Sequence, residues 1–329
     1  MMTKHFETPV IFSLPHQAAS DFCEHYLTKS GIMISLADLR DKELAADLAD
    51  QAAHVFANLL KDLQYQLDCP EIGIVAVDIP SILDDATLDA IAGALLAVSL
   101  TQALMPTLTD GRNQTPFSVF TTSADSLERL ERAGLQDLTP TNRLEFHSDS
   151  ALTGTEVAVP DYISVYNIAI NFEERGYFHW VPTCKLDGLA ALVDRIGLSD
   201  AYYFKLNPTV YEDGQNDVMV IEHRVKATIF SHDQNGSITT YMSGQFDGKV
   251  GEERTQSHDV VTDMVNAISE NKFRYSIPQE SRRLLIMNNA NGFHARDALE
   301  KPLPGVAVNR VYLRCTSVAG KVVGEIVGE

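Results

Sequence analysis

The stretch Arg143-Leu144-Glu145-Phe146-His147-Ser148-Asp149-Ser150-Ala151 opens a long run of strand-like segments and carries a His-x-Asp triplet near the middle of the 329-residue chain. On an extended segment His147 and Asp149 leave the same face, as two neighbouring ligands of one metal ion must. With 10 His and 45 acidic residues, about 1.4 such His-x-acid triplets arise by chance, so spacing alone proves little. A second triplet, His5-Phe6-Glu7, reads as a coincidence at a loose chain end. What distinguishes His147 and Asp149 is context: strands surround them, and a third candidate ligand, His294, lies far downstream.

His294 follows Leu284-Leu285-Ile286-Met287-Asn288-Asn289-Ala290-Asn291-Gly292-Phe293, an apolar run ending in Asn-Asn and Gly. That pattern predicts a buried strand and a turn, with the histidine just beyond. Then Val306 to Arg314 reads as a strand with Arg310 and Arg314 four apart on one face. Two histidines, one carboxylate and an arginine suit an open-sided iron site, because three protein ligands leave positions for a co-substrate and oxygen. Structural zinc, with four protein ligands and often sulfur, fits less well.

Taken together, Leu144 to Ala151, Pro160-Asp161-Tyr162-Ile163, Asn288-Asn289, His294, Arg296, Arg310 and Arg314 resemble the clavaminate-synthase-like Fe(II)/2-oxoglutarate-dependent oxygenases. This group includes arginine, lysine and asparagine hydroxylases of natural-product pathways. The resemblance covers the last two thirds of the chain in order of elements, with sharp matches confined to these short blocks. It implies a double-stranded β-helix, or jelly roll, that brings His147, Asp149 and His294 to one metal. It further implies that Arg310 grips the distal carboxylate of 2-oxoglutarate, for which a planar guanidinium fork is suited. Arg314 falls where relatives hold the substrate α-carboxylate, and Asp247 where they place an acidic residue on a cationic substrate side chain; a plain turn aspartate fits Asp247 equally. Relatives place a threonine facing the co-substrate carboxylate, and in Tyr177 to Thr183 either Thr183 or His179 takes that part, while Trp180 reads as core. The chain departs from the family in having Ser148-Asp149 where Thr-Glu is usual. It also lacks a second histidine near Leu152-Thr153-Gly154-Thr155. Halogenating relatives lack the carboxylate ligand, so Asp149 favours hydroxylation or desaturation.

The resemblance thus implies Fe(II), 2-oxoglutarate and O2, with a free polar amino acid or derivative hydroxylated at an aliphatic carbon. Rival outcomes are desaturation or cyclisation on the same scaffold, or a carrier-bound amino acid as substrate. Rivals of another class are a non-catalytic small-molecule-binding β-helix protein and a zinc hydrolase.

Composition agrees with an enzyme that has a sizeable core, since 45% of residues are hydrophobic. A net charge of −19 argues against nucleic-acid and anionic-membrane partners, which it would repel. Cys23, Cys69, Cys184 and Cys315 are scattered, without a C-x-x-C pair, and the polar N-terminus lacks the form of a signal peptide, so a reducing cytoplasm is expected.

Upstream, residues 9–14 predict a short strand, Ser35 a helix cap, and Leu44, Leu48, Val55, Phe56, Leu59, Leu60 and Leu63 one amphipathic helix. Ile72 to Asp78 predicts a buried strand, residues 85–105 a second amphipathic helix, and 117–120 a return to the sheet. Ser126 to Arg132 reads as a short charged segment, and Asp213 to Asp217 and Asp233 to Gly236 as polar turns. From Arg143 the expected strands are 143–147, 162–170, 177–183, 218–220, 225–230, 238–242, 284–289 and 308–318. Residues 257–271 read as an inserted helix. The expectation is an α+β chain forming one domain, with 1–135 a mainly helical flank and 136–329 the jelly-roll core.

Overall fold

The structure is a computed structural model that describes the chain except residues 1–4, 30–31, 124, 126, 129–138, 199, 206–208, 213–217, 222–223, 233–235, 237, 243–245, 250–253 and 328–329. The polar turn 213–217 and most of 126–132 and 233–236 therefore lie outside the described residues.

Two sheets face each other. One has six strands in the order Ile11–Ser13, Ile74–Asp78, Arg283–Asn288, Tyr162–Ile170, Val308–Thr316 and Ser118–Ser123. The other has five, in the order His5–Glu7, Phe273–Pro278, Tyr177–Pro182, Gly292–Arg296 and Leu144–His147. Between them pack Ile74, Ala76, Ile163, Phe178, Trp180, Ile277, Leu285 and Met287. Alternation along each strand then sets the other faces. In the six-stranded sheet Val75, Val77, Tyr166, Leu284, Ile286 and Leu313 turn outward onto the helices. In the five-stranded sheet Phe146, Val181, Phe293 and Ala295 turn outward into a further core with Tyr202, Phe204, Val225, Met264 and Ile268. That outer core lies under a third sheet, built from Phe246–Lys249, Ala201–Lys205, Arg224–Thr228, Gly320–Ile326, Glu156–Pro160 and Ala151–Thr153.

The expected jelly roll is present, with corrections in the flank. Ile11–Ser13, Ile74–Asp78 and Ser118–Ser123 belong to the six-stranded sheet, so the first 135 residues supply half of one core layer as well as its helical cover. The single helix expected from Leu44 is two, Lys42–Val55 and Ala57–Asp68, broken at Phe56 (φ −106°, ψ 23°). Apolar spacing hides the break because Ala52, Phe56, Leu60 and Leu63 are buried on both sides of it. Ser35 opens a short 3-10 turn, Leu36–Arg40, and the following helix is capped by Asp41, whose carboxylate accepts from the Glu43 and Leu44 amides. The helix Ala86–Leu104, capped by Asp85, is not amphipathic: every residue from Ala92 to Thr101 is buried. It is the one described helix long and apolar enough to cross a membrane. Here it packs against Lys42–Val55 and Tyr162–Ile170, as a helix apolar all round must. The inserted helix runs from Arg254–Glu270. The His5–Glu7 triplet, expected at a loose end, forms an edge strand parallel to Phe273–Pro278.

Candidate metal centre

Register places the two histidines. His294 lies within the strand Gly292–Arg296, not beyond it, and pairs directly with His147 on one side and Trp180 on the other. Directly opposed residues share a face, and Trp180 lies between the two sheets, so both imidazoles project into that interior. Gly292 permits the strand to approach: a Cβ there would sit 2.4 Å from Trp180 Cζ2 and 2.7 Å from the Val181 carbonyl. Phe178 stacks on His294 at 5.6 Å between centroids and 13° between planes, which fixes the ring.

Asp149 comes from beyond the strand, which ends at His147. Its aim is set by Asn289 instead, whose side chain is 0% exposed. The Asn289 Oδ1 accepts from the Asp149 amide at 2.9 Å, and its Nδ2 donates to the Asp149 carbonyl at 2.9 Å and the Pro160 carbonyl at 3.0 Å. A loop residue thus acquires strand-like rigidity from a side chain 140 positions away.

The carboxylate oxygens divide their neighbours. Asp149 Oδ1 lies 3.5 Å from His147 Nε2 and 3.9 Å from His294 Nε2, while Oδ2 faces Arg314 Nη1 at 3.5 Å. One donor atom from each of His147, Asp149 and His294 falls within 4.8 Å of the others, the group of this kind found among the described residues. Ligands bound at about 2.1 Å and at right angles would stand about 3 Å apart, so a modest contraction completes a metal site. His147 Nδ1 donates to the Glu145 carbonyl at 2.8 Å, since a carbonyl only accepts, and that bond orients Nε2 toward Asp149. Burial, and then His147, push the His294 imidazole down to about 3, against the opposing pull of Asp149. Burial alone would raise the Asp149 carboxyl, but Arg314 and both imidazoles outweigh it and hold it well below the usual carboxylate range. Near pH 7 His294 is therefore a neutral imidazole and Asp149 an ionised carboxylate, and neither would need to lose a proton to bind a cation.

Arg314 and Arg310 come from Val308–Thr316. Arg314 pairs with Val165, whose side chain packs between the sheets, so the same face turns toward the histidines. Arg310 is 7% exposed, and its Nη2 and Nε donate to Asn167 Oδ1 at 2.9 and 3.3 Å. Two aromatic rings sit with these arginines. Phe120 and Tyr312 stack at 4.8 Å, Arg310 lies 4.3 Å from the Tyr312 ring centre and Arg314 5.2 Å from that of Phe120. Arg296, named above only as part of a pattern, donates to the carbonyls of Thr139, Pro140, Asn142 and Asp297 and so anchors the chain entering Leu144–His147.

Thr183, His179, Asp247 and Trp180 lie on the other strands and turns. His179 pairs with Ala295, which belongs to the outer core, so it faces away from His294; it bonds Ser276 at 2.9 Å and Asp297 at 3.0 Å. Thr183 is buried at the start of a 3-10 turn, its hydroxyl 3.2 Å from that of Thr240. Asp247 lies on the strand Phe246–Lys249, and its side chain is outside the described ones. Trp180 is core, as expected, and donates to the Ile72 carbonyl. Sequence reasoning missed Asn167 and the role of Asn289. The only local signal was Asn288-Asn289 at the end of an apolar strand.

No protein-family model matches the chain, and no curated protein does. Solved structures do share its fold. An asparagine oxygenase in complex with Fe(II), 2S,3S-3-hydroxyasparagine and succinate is 13% identical, with a TM-score of 0.61 over 93% of each chain. A variant of the non-heme iron oxygenase OrfP in complex with (3S)-hydroxy-L-Arg is 14% identical, with a TM-score of 0.61 over 94% of each. PvcB from Pseudomonas aeruginosa is 14% identical, with a TM-score of 0.51 over 83% of this chain and 84% of that one. The likeness spans nearly the whole of the first two chains and establishes the jelly-roll architecture seen in these iron oxygenases.

Proposed function

We propose that this protein is an Fe(II)- and 2-oxoglutarate-dependent oxygenase that hydroxylates an aliphatic carbon of a free polar amino acid or a derivative of one. The observation that carries this reading is the convergence of His147, Asp149 and His294 on one point, with a buried arginine on the facing sheet that has no acidic partner among the described residues. His147, Asp149 and His294 would hold the iron, and their set leaves the rest of the coordination sphere open. When bound, iron with 2-oxoglutarate and O2 supplies the oxidising power for attack on an unactivated carbon.

The chain's own residues position the reactants. Arg310 offers paired N–H donors to the far carboxylate of 2-oxoglutarate, fixing an otherwise mobile molecule against the metal. Arg314, half-exposed and with a buried Nε that bonds to nothing among the described residues, takes the α-carboxylate of the amino acid. Its contact with Asp149 ties substrate position to a metal ligand. Phe178 and the apolar layer behind it keep water from the inner side. Complexes of the two amino-acid oxygenases of similar fold hold hydroxyasparagine and hydroxyarginine, which supports a polar amino acid as the substrate class. The motif resemblance supports a role in natural-product biosynthesis, and the scattered cysteines support a reducing cytoplasm.

The test is aerobic incubation of Fe(II)-loaded protein with 2-oxoglutarate and individual L-amino acids, following succinate and the mass of the amino acid. Succinate release stimulated by one amino acid, which gains one oxygen atom, supports the proposal. Turnover that persists without oxygen would point to hydrolysis and sink it.

A further inference from the structure

The environment of Arg310 is unusual for a buried cation. In a chain of net charge −19, it is 7% exposed and no carboxylate pairs with it among the described residues. Its polar partner is the neutral amide of Asn167, itself 2% exposed. A second buried cation, Arg296, is 6% exposed and is held by backbone carbonyls. Burial lowers the Arg310 guanidinium from its ordinary value, with Tyr312 opposing it. An uncompensated charge in such a place is unfavourable unless a ligand completes it.

Asn167 is held where it can act. The strand register slips between Asn167 and Ala169, and the Arg282 amide donates to the Asn167 carbonyl at 2.6 Å. A bulge of this kind re-aims a side chain, and here it brings the amide onto the Nε and Nη2 edge of Arg310. An aspartate would have nearly the same shape but would neutralise the guanidinium. An aliphatic residue would leave that edge unheld.

We propose that Asn167 is a positioning residue that fixes the Arg310 guanidinium while leaving its charge uncompensated, so that the site selects a dicarboxylate co-substrate and does not close on itself. This rests on the 2-oxoglutarate reading above and adds to it a reason for the neutral partner. The amide sets orientation and the missing carboxylate sets affinity.

Asn167→Asp and Asn167→Ala separate the two effects in the full-length chain. Two readouts are needed: the dissociation constant for 2-oxoglutarate on Fe(II)-loaded protein, by anaerobic calorimetry, and the melting temperature of metal-free protein without ligand. Asn167→Asp should weaken 2-oxoglutarate by about a hundredfold or more, because an internal carboxylate now competes for Arg310. It should also raise the melting temperature, because the buried charge is now paired. Asn167→Ala should weaken 2-oxoglutarate by about ten- to a hundredfold and lower the melting temperature. A residue with only a structural role would lower the melting temperature in both variants. An aspartate variant that binds 2-oxoglutarate within about threefold of wild type, or that melts lower or fails to fold, overturns the proposal. If wild-type protein does not bind 2-oxoglutarate, the functional reading itself fails. The opposite melting shifts would still report the uncompensated charge.

Discussion

Replacing Asn289 with alanine tests how Asp149, the candidate metal ligand, is held. The side chain is fully buried and makes three hydrogen bonds, one accepted from the Asp149 amide and two donated to the carbonyls of Asp149 and Pro160. The substitution leaves one buried N–H and two buried carbonyls without these partners, at about 1–3 kcal/mol each. Carbonyls are the easier to satisfy, and the vacated volume admits a water where the surroundings are polar. The expected net loss is therefore about 3–4 kcal/mol, toward the lower end of the summed range. A second effect follows from geometry. Asp149 is outside any strand, so without Asn289 its carboxylate is no longer aimed, and metal affinity should fall about 10–100-fold. Urea unfolding of metal-free protein measures the first effect, and competition titration with a metal indicator measures the second. Asn289→Asp should do no better, since it loses both donations and sets a charge against two carbonyls. A stability loss under about 1 kcal/mol together with unchanged metal affinity would refute the claim that Asn289 builds the site.

Two further predictions concern acid and packing. His294 has its pKa pushed from 6.5 down to about 3, so between those values the unfolded chain binds a proton that the folded chain refuses. Stability of the metal-free protein should fall as pH drops through that window, and His294→Gln should flatten the decline; urea midpoints at a series of pH values would contradict this if wild type and variant run parallel. Asp149, depressed below 3.8, adds stability that is present above that value and lost as pH falls further. Gly292→Ala should cost about 1–3 kcal/mol and shift the emission of the chain's single tryptophan, because the new methyl meets Trp180; unchanged fluorescence and stability would contradict the close approach.

The candidate metal site was legible in the sequence because its parts are short and carry unusual residue types. His147 and Asp149 stand two apart, and His294 ends a clear apolar run. The reason first given for their convergence was only half correct, since alternation along a strand aims His147 but Asp149 is aimed by Asn289. No local pattern could reveal that contact across 140 positions. Asn167 was invisible for a related reason: an asparagine inside Tyr162–Ile170 reads as a weak strand residue, and a bulge that points it at Arg310 has no sequence mark of its own. Helix Ala86–Leu104 was found to within a residue at each end, yet its all-round burial was missed because an amphipathic face was assumed where neighbours cover both sides. Strands such as Ala201–Lys205 and Gly320–Ile326 went unread; they pair with partners distant in sequence, and their alternation is too short to stand out.

The most direct test of the central claim is an anaerobic titration of metal-free protein with Fe(II) and then 2-oxoglutarate, watching for the visible charge-transfer band of the chelate. The account predicts a band in wild type, its loss in His294→Ala, and a right-shifted 2-oxoglutarate dependence in Arg310→Ala. A wild-type protein that binds iron and shows no band, or a band indifferent to both substitutions, would contradict it.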